Sequence, residues 1–161
     1  MSSRVIEIFL FDIFVAIVKI EIVVSKFGSS EELLHDFVSW DSVMREFSIV
    51  GEATNMCIKE DLIGKEYRVI VDFRNKIIHH YFGIDSEAVW NIANNELQDF
   101  KKYIIQKIEK IEDENLQKEL LLSFIDDNKN YKSVVKSFQQ LQIPSMEKIW
   151  KNIEDEAWDK L

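Results

Sequence analysis

The sequence predicts an all-α protein, an up-and-down bundle of amphipathic helices, and three observations predict it. Glycine and proline are scarce, four and one in 161 residues, so the chain lacks the turn residues that an all-β fold needs. Apolar residues recur in alternating steps of three and four over long stretches, which is the helical rhythm. Hydrophobic residues make up 47% of the chain, enough to build a core and to exclude general disorder.

The first helix is expected over about residues 4 to 27, with Gly28 as its C-terminal cap. Its apolar run is interrupted by Glu7, Asp12, Lys19, Glu21 and Lys26, whereas a membrane-spanning helix needs about 20 nearly uncharged residues. No signal-peptide cleavage site follows a clean apolar core. Asp12, Lys19 and Lys26 fall seven apart and form one narrow polar stripe on a helix that is otherwise apolar. A helix buried on several sides, in so small a chain, points to a subunit interface as well as an internal core.

Ser29 and Glu32 form a capping box for the second helix. Its seam is Leu33, Phe37, Trp40, Met44 and Phe47, and it continues through Ile49, Val50, Ala53 and Met56 with a kink near Gly51. Residues 61 to 64 read as a connector. The third helix is expected from about Glu66 to Phe82, with Val69, Ile70, Phe73, Ile77 and Ile78 facing inward and Gly83 ending it. Asp85 or Ser86 caps the fourth, whose seam is Val89, Ala93, Leu97, Phe100, Ile104, Ile108 and Ile111. Four such helices with short links define a bundle over residues 1 to 111.

Residues 112 to 161 read as a helical extension, either packed on the bundle or docking a partner. Leu116, Leu120, Phe124 and Ile125 form one short apolar face, and Val134, Val135, Phe138 and Leu141 another that stops at Pro144. Ser145 then caps a last helix flanked by Trp150 and Trp158, residues of a type favoured as interface anchors.

The net charge of −9 does not favour nucleic-acid binding by bulk attraction. It is unevenly spread: between residues 65 and 80, Lys65, Arg68, Arg74 and Lys76 face only Glu66 and Asp72. The sole cysteine, Cys57, excludes an internal disulfide framework and a cysteine-based metal cluster, and suits a reducing cytoplasmic setting.

The chemistry concentrates in the third helix. Arg74, Asn75, His79, His80 and Tyr81 lie within eight positions, and they include two of the three histidines. Arginine offers a planar fork of donors suited to phosphate, and histidine exchanges protons near neutral pH. A phosphate-gripping cation beside a proton-transfer group is what phosphodiester cleavage requires. Other readings stand beside this one. Arg74 could be a surface cation paired with Asp72 or Glu66, and His79 could favour the negative end of its helix. Glu52 either orients a side chain of this cluster or is an ordinary interhelical glutamate. His35 reads as structural and Cys57 as packing. No metal site is expected, because the adjacent side chains of His79 and His80 diverge on a helix.

The pattern Arg-x-x-x-x-His-x-Tyr, with Asn75 directly after Arg74, resembles the signature of the HEPN superfamily, and specifically of the HepT-like toxins. Two further segments agree: residues 49 to 53, Ile-Val-Gly-Glu-Ala, and residues 81 to 85 followed by Val89 and Trp90. The resemblance covers about residues 5 to 111 and implies a helical bundle that dimerises, with the motifs of two subunits facing one cleft. It implies a metal-independent endoribonuclease without cofactor, in which Arg74 binds the scissile phosphate. His79 would handle protons or orient the attacking 2′-hydroxyl, Asn75 would hold the geometry, and His80 would be a supporting residue. A minimal-nucleotidyltransferase antitoxin would neutralise the toxin by AMPylating Tyr81. The alternative is a non-catalytic HEPN module that binds a nucleotide or scaffolds a protein.

Helical geometry bears on the pairing. Arg74 and Tyr81 share a face, whereas Arg74 and His79, five residues apart, lie roughly 140° from each other around an ideal helix. Either a second copy supplies the facing histidine in a symmetric homodimer, or the last turn before Gly83 is distorted.

Overall fold

A computed structural model describes residues 3–79, 83–111 and 114–128, together with the single positions 132 and 136. The elements run α1 (Ser3–Val24), α2 (Ser30–His35), α3 (Phe37–Lys59), a 3-10 turn (Lys65–Tyr67) and α4 (Arg68–His79). Then follow α5 (Ser86–Asn91), a π-turn (Ile92–Glu96), α6 (Leu97–Glu109) and α7 (Glu114–Asn128). The all-α expectation holds, and no strand occurs among the described residues. The chain forms two compact units, Met1–Ile104 and Ile105–Leu161.

In the first unit α1 packs against α3 and the π-turn. Leu10, Ile13, Phe14, Ile17 and Ile20 of α1 are fully buried, while Asp12 on the polar stripe is exposed. Most of the apolar circumference of α1 is met within one chain, while Ile8 on the same helix stays 41% exposed. No described helix is long and apolar enough to cross a membrane.

The link between the first two long helices differs from expectation. α1 ends at Val24, and no described glycine adopts a positive φ, so Gly28 is not a left-handed cap. Its N–H instead donates to Glu32 Oε2 at 2.7 Å, while Ser29 Oγ accepts from the Glu32 N–H at 3.2 Å. The helix opened by that box is only α2, because Asp36 leaves helical geometry and caps α3, accepting from the Ser39 N–H at 2.9 Å. This break explains the one residue of the predicted seam that lies exposed. Leu33, Trp40, Met44 and Phe47 are buried, but Phe37, the first residue of α3, is 74% exposed. His35, the last residue of α2, is exposed as well.

α3 runs unbroken through Gly51 to Lys59. It is terminated by Asp61 at φ 55°, with the Leu62 N–H donating back to the Cys57 carbonyl at 2.9 Å. Aspartate tolerates this left-handed conformation better than most residues, and the bonds satisfy carbonyls that a helix end leaves open. α4 packs against α3. Its buried residues are Val71 and Ile77, with Phe73 set edge-on against Phe47 at 5.2 Å between ring centroids. Val69 and Ile78, expected inward, are 66% and 49% exposed because they fall outside the strip that α3 covers.

Asp85 caps α5, accepting from the Glu87 N–H at 3.0 Å, and the buried Ser30 donates to Glu87, tying α2 to α5. The expected seam of the fourth helix, Val89 through Ile111, is buried throughout. The π-turn explains how steps of four, 89 to 93 to 97, stay in line: a wider turn advances more residues per revolution. Glu21 of α1 takes Lys101 Nζ at 2.6 Å and Gln98 Nε2 at 2.7 Å, fixing α6 to α1.

In the second unit Leu116, Leu120, Phe124 and Ile125 of α7 are buried as expected. The buried Gln117 donates to the Ile111 carbonyl at 2.5 Å and closes the turn between α6 and α7. The second expected face (Val134, Val135, Phe138, Leu141), Pro144 and the helix capped by Ser145 with Trp150 and Trp158 lie outside the described residues.

Candidate active site

Arg74 lies on the side of α4 that meets α3, between Val71 and Ile77 on the helical wheel, and its place depends on Gly51. A Cβ at Gly51 would fall 2.2 Å from Arg74 Cβ, 2.7 Å from Arg74 Cγ and 3.4 Å from the Ile70 carbonyl oxygen. Only a residue without a side chain lets the two helices approach this closely. The role expected of Gly51, a kink, is thus replaced by a close helix crossing.

The crossing aligns the next residue as well. Glu52 Oε2 lies 2.9 Å from Arg74 Nη2, an ion pair whose side chains are 52% and 29% exposed. Arg74 Nη1 donates to Asn75 Oδ1 at 3.0 Å. Arg74 Nε is buried and has no partner among the described residues. The acid that pairs with Arg74 is therefore Glu52 of the neighbouring helix, neither Asp72 nor Glu66.

His79 is the last residue of α4 and is exposed. Five residues of rise set it roughly 7.5 Å along the axis from Arg74, and no hydrogen bond joins the two. α4 remains α-helical to that residue, so among the described residues no distortion turns His79 toward Arg74. The structure brings together Arg74, Asn75, Glu52 and Gly51, and leaves His79 apart. His80 and Tyr81 lie outside the described residues.

The opposite end of α4 is held by an aromatic cluster that the helical periodicity did not single out. The ring of Tyr67 lies 5.0 Å from Phe100 and 4.4 Å from Tyr103. Burial raises the Tyr67 hydroxyl above the usual tyrosine range, and Tyr103, Glu66 and Asp99 add to the effect. Cys57 is fully buried, and that burial, with a contribution from Asp12, pushes its thiol up to about 12. A thiol so protonated is no nucleophile at neutral pH. Among the described residues no three His, Cys, Asp or Glu side chains gather as a metal site would.

Chemically, the arrangement offers a guanidinium seated in the groove between two helices, with its Nη end toward the rim, and an imidazole one and a half turns further on. Such a guanidinium suits an oxyanion, and an exposed imidazole suits proton exchange.

Comparison with known proteins places this geometry in a family. Residues 13–111 match the family described as ribonuclease HepT-like. The protein named "Putative RNase MJ0127" of Methanocaldococcus jannaschii is 36% identical over 89 residues, covering 53% of this chain and 73% of that protein. A second protein of that organism, "Putative RNase MJ1216", is 32% identical over 120 residues, covering 71% of this chain and 98% of its own length. "Putative RNase TTE0752" of Caldanaerobacter subterraneus is 28% identical over 85 residues, which are 51% of this chain and 76% of that protein. No solved structure matches.

Proposed function

We propose that this chain, which belongs to the ribonuclease HepT-like family, is an endoribonuclease toxin that cleaves RNA without a metal ion. Arg74 binds the scissile phosphate and stabilises the charge that builds on its oxygens. The 2′-hydroxyl attacks phosphorus and loses its proton, the bond to the 5′-oxygen breaks, and that oxygen gains a proton. The products are a 2′,3′-cyclic phosphate and a 5′-hydroxyl. His79 handles a proton in this exchange, Asn75 steadies the guanidinium, and His80 supports the site.

The observation that carries this reading is the seating of Arg74: a cation held in a helix groove by Gly51 and Asn75, with only the end of its fork toward solvent. The separation of Arg74 from His79 within one chain supports a homodimer. In a symmetric pair the second copy's His79 would face this Arg74, so each site would take its arginine from one chain and its histidine from the other. Val69, Asp72, Lys76 and His79, at helical spacing on the exposed side of α4, would offer the contact surface.

The partner that restrains the toxin is a minimal nucleotidyltransferase, which transfers AMP to the Tyr81 hydroxyl. The adduct would bring a bulky nucleotide and a negative phosphodiester to the end of the helix that carries Arg74 and His79.

The test is cleavage of single-stranded RNA by the purified protein in the presence of a chelator, with end-group analysis of the products. A cyclic phosphate is the expected terminus. A requirement for added metal, or a 3′-hydroxyl product, contradicts the mechanism. Mass mapping after co-expression with the nucleotidyltransferase should place AMP on Tyr81, and modification confined to other residues would reject that part.

A further inference from the structure

We infer that Glu52 is the resident occupant of the phosphate-binding end of Arg74, a carboxylate that holds the guanidinium in register and that an incoming phosphate must displace. The inference rests on the reading of Arg74 as the phosphate-binding residue and gives Glu52 a part in ligand binding beyond orienting a side chain.

A guanidinium can grip an oxyanion with two parallel bonds along either of two edges, the side formed by Nε and Nη2 or the end formed by Nη1 and Nη2. In this chain the side edge is closed, because Nε is buried, with no partner among the described residues. Only the end remains, and both of its nitrogens already face oxygens: Glu52 Oε2 at 2.9 Å from Nη2 and Asn75 Oδ1 at 3.0 Å from Nη1. Two acceptors at the two end nitrogens reproduce the pair of oxygens that a phosphate would bring.

The two occupants differ in what they do to a ligand. Asn75 is neutral and can remain beside a phosphate. Glu52 carries a negative charge, and a phosphate oxygen bonded to the same Nη2 would lie within a few ångströms of it, so the two anions compete. Glu52 is able to yield. Its side chain is half exposed, so releasing Arg74 returns the carboxylate to water and leaves no buried charge behind. Its position is nonetheless fixed, because it follows Gly51, whose backbone lies directly against the Arg74 side chain. Glu52 thus acts through Arg74 as a positioning residue, and it weakens the hold on any phosphate that cannot displace it.

The experiment measures binding of a fluorescent 2′-deoxy oligonucleotide, which cannot be cleaved, and the KM for the matching RNA. Glu52→Gln keeps the size and one acceptor oxygen for Nη2 but removes the charge. It should tighten binding and lower KM by roughly two- to fivefold, the effect of one partly screened charge. Glu52→Asp keeps the charge on a shorter stem and should give no gain. The gain from Glu52→Gln should vanish when Arg74→Ala is added, which a merely structural role for Glu52 would not require. Unchanged or weaker binding by Glu52→Gln overturns the inference, and so does a gain that persists without Arg74. If the wild type cleaves RNA and Arg74→Ala does not, either of those results removes only the role of Glu52. A wild type that neither cleaves nor binds RNA removes the ribonuclease reading itself.

Discussion

Gly51 of α3 and Arg74 of α4 are in contact so close that a Cβ on the glycine would stand 2.2 Å from the Cβ of the arginine. Both atoms would be fixed to helix backbones, so no side-chain rotation relieves the clash. Gly51→Ala should therefore push α4 away from α3. Alanine gains about 1 kcal/mol of helix propensity over glycine, but overpacking at a tight crossing costs typically 1–3 kcal/mol. We expect a net loss of stability in denaturant unfolding, and a fall in RNA cleavage larger than the fraction unfolded explains. A variant with wild-type stability and cleavage would show that the contact does not position Arg74.

Asp36 interrupts what the periodicity alone presents as one helix. Its carboxylate caps α3 through the Ser39 N–H, and Asp36→Ala should cost on the order of 1 kcal/mol, as lost caps do. Asp36→Asn retains an acceptor oxygen and should restore most of that loss. Equal stability of the alanine and asparagine variants in urea unfolding would argue against the cap.

Cys57 supplies a pH dependence with a definite sign. Burial raises its pKa from 9.0 to about 12 in the folded state. The folded protein therefore holds that proton more tightly than the unfolded chain does, so the contribution is complete below about pH 9 and is lost as pH rises toward about 12. Unfolding experiments should show stability declining across that alkaline window, and Cys57→Ala should flatten this part of the curve. At neutral pH the native thiol should resist alkylation until the protein unfolds. Rapid labelling of the folded protein would contradict its burial.

Much of this architecture was legible in the sequence. The seam from Val89 to Ile111 was read residue for residue, because a long apolar rhythm survives even a π-turn. The capping pair Ser29 and Glu32 was legible too, but not that its helix lasts only to His35. Asp36 can cap a helix or sit inside one, and nothing in the local pattern decides between them. Val69 and Ile78 were misplaced because periodicity tells which residues share a face, not how much of that face a neighbour covers. The motif Arg74-Asn75 was visible, but its ion pair joins residues 22 positions apart on different helices. Gly51 was noticed for the wrong reason: sequence alone signals flexibility at a glycine, whereas close approach appears only when the second helix is in place.

The separation of Arg74 and His79 within one chain leads to a mixing experiment. Arg74→Ala and His79→Ala, each inactive alone, should regain activity when unfolded together and refolded, because mixed dimers pair one intact arginine with the other copy's intact histidine. Random pairing with one working site in each mixed dimer gives on the order of a quarter of wild-type activity. No recovery, with mixed dimers verified by mass, would mean that each chain builds its site alone.

The most direct test of the central claim is the cleavage of one defined RNA, in chelator, by the wild type, Arg74→Ala and His79→Ala at equal concentration. The wild type should cut the RNA, and each substitution should abolish cleavage while circular dichroism shows the helical fold intact. Equal cleavage by all three proteins, or none by the wild type, would contradict a ribonuclease built on Arg74 and His79.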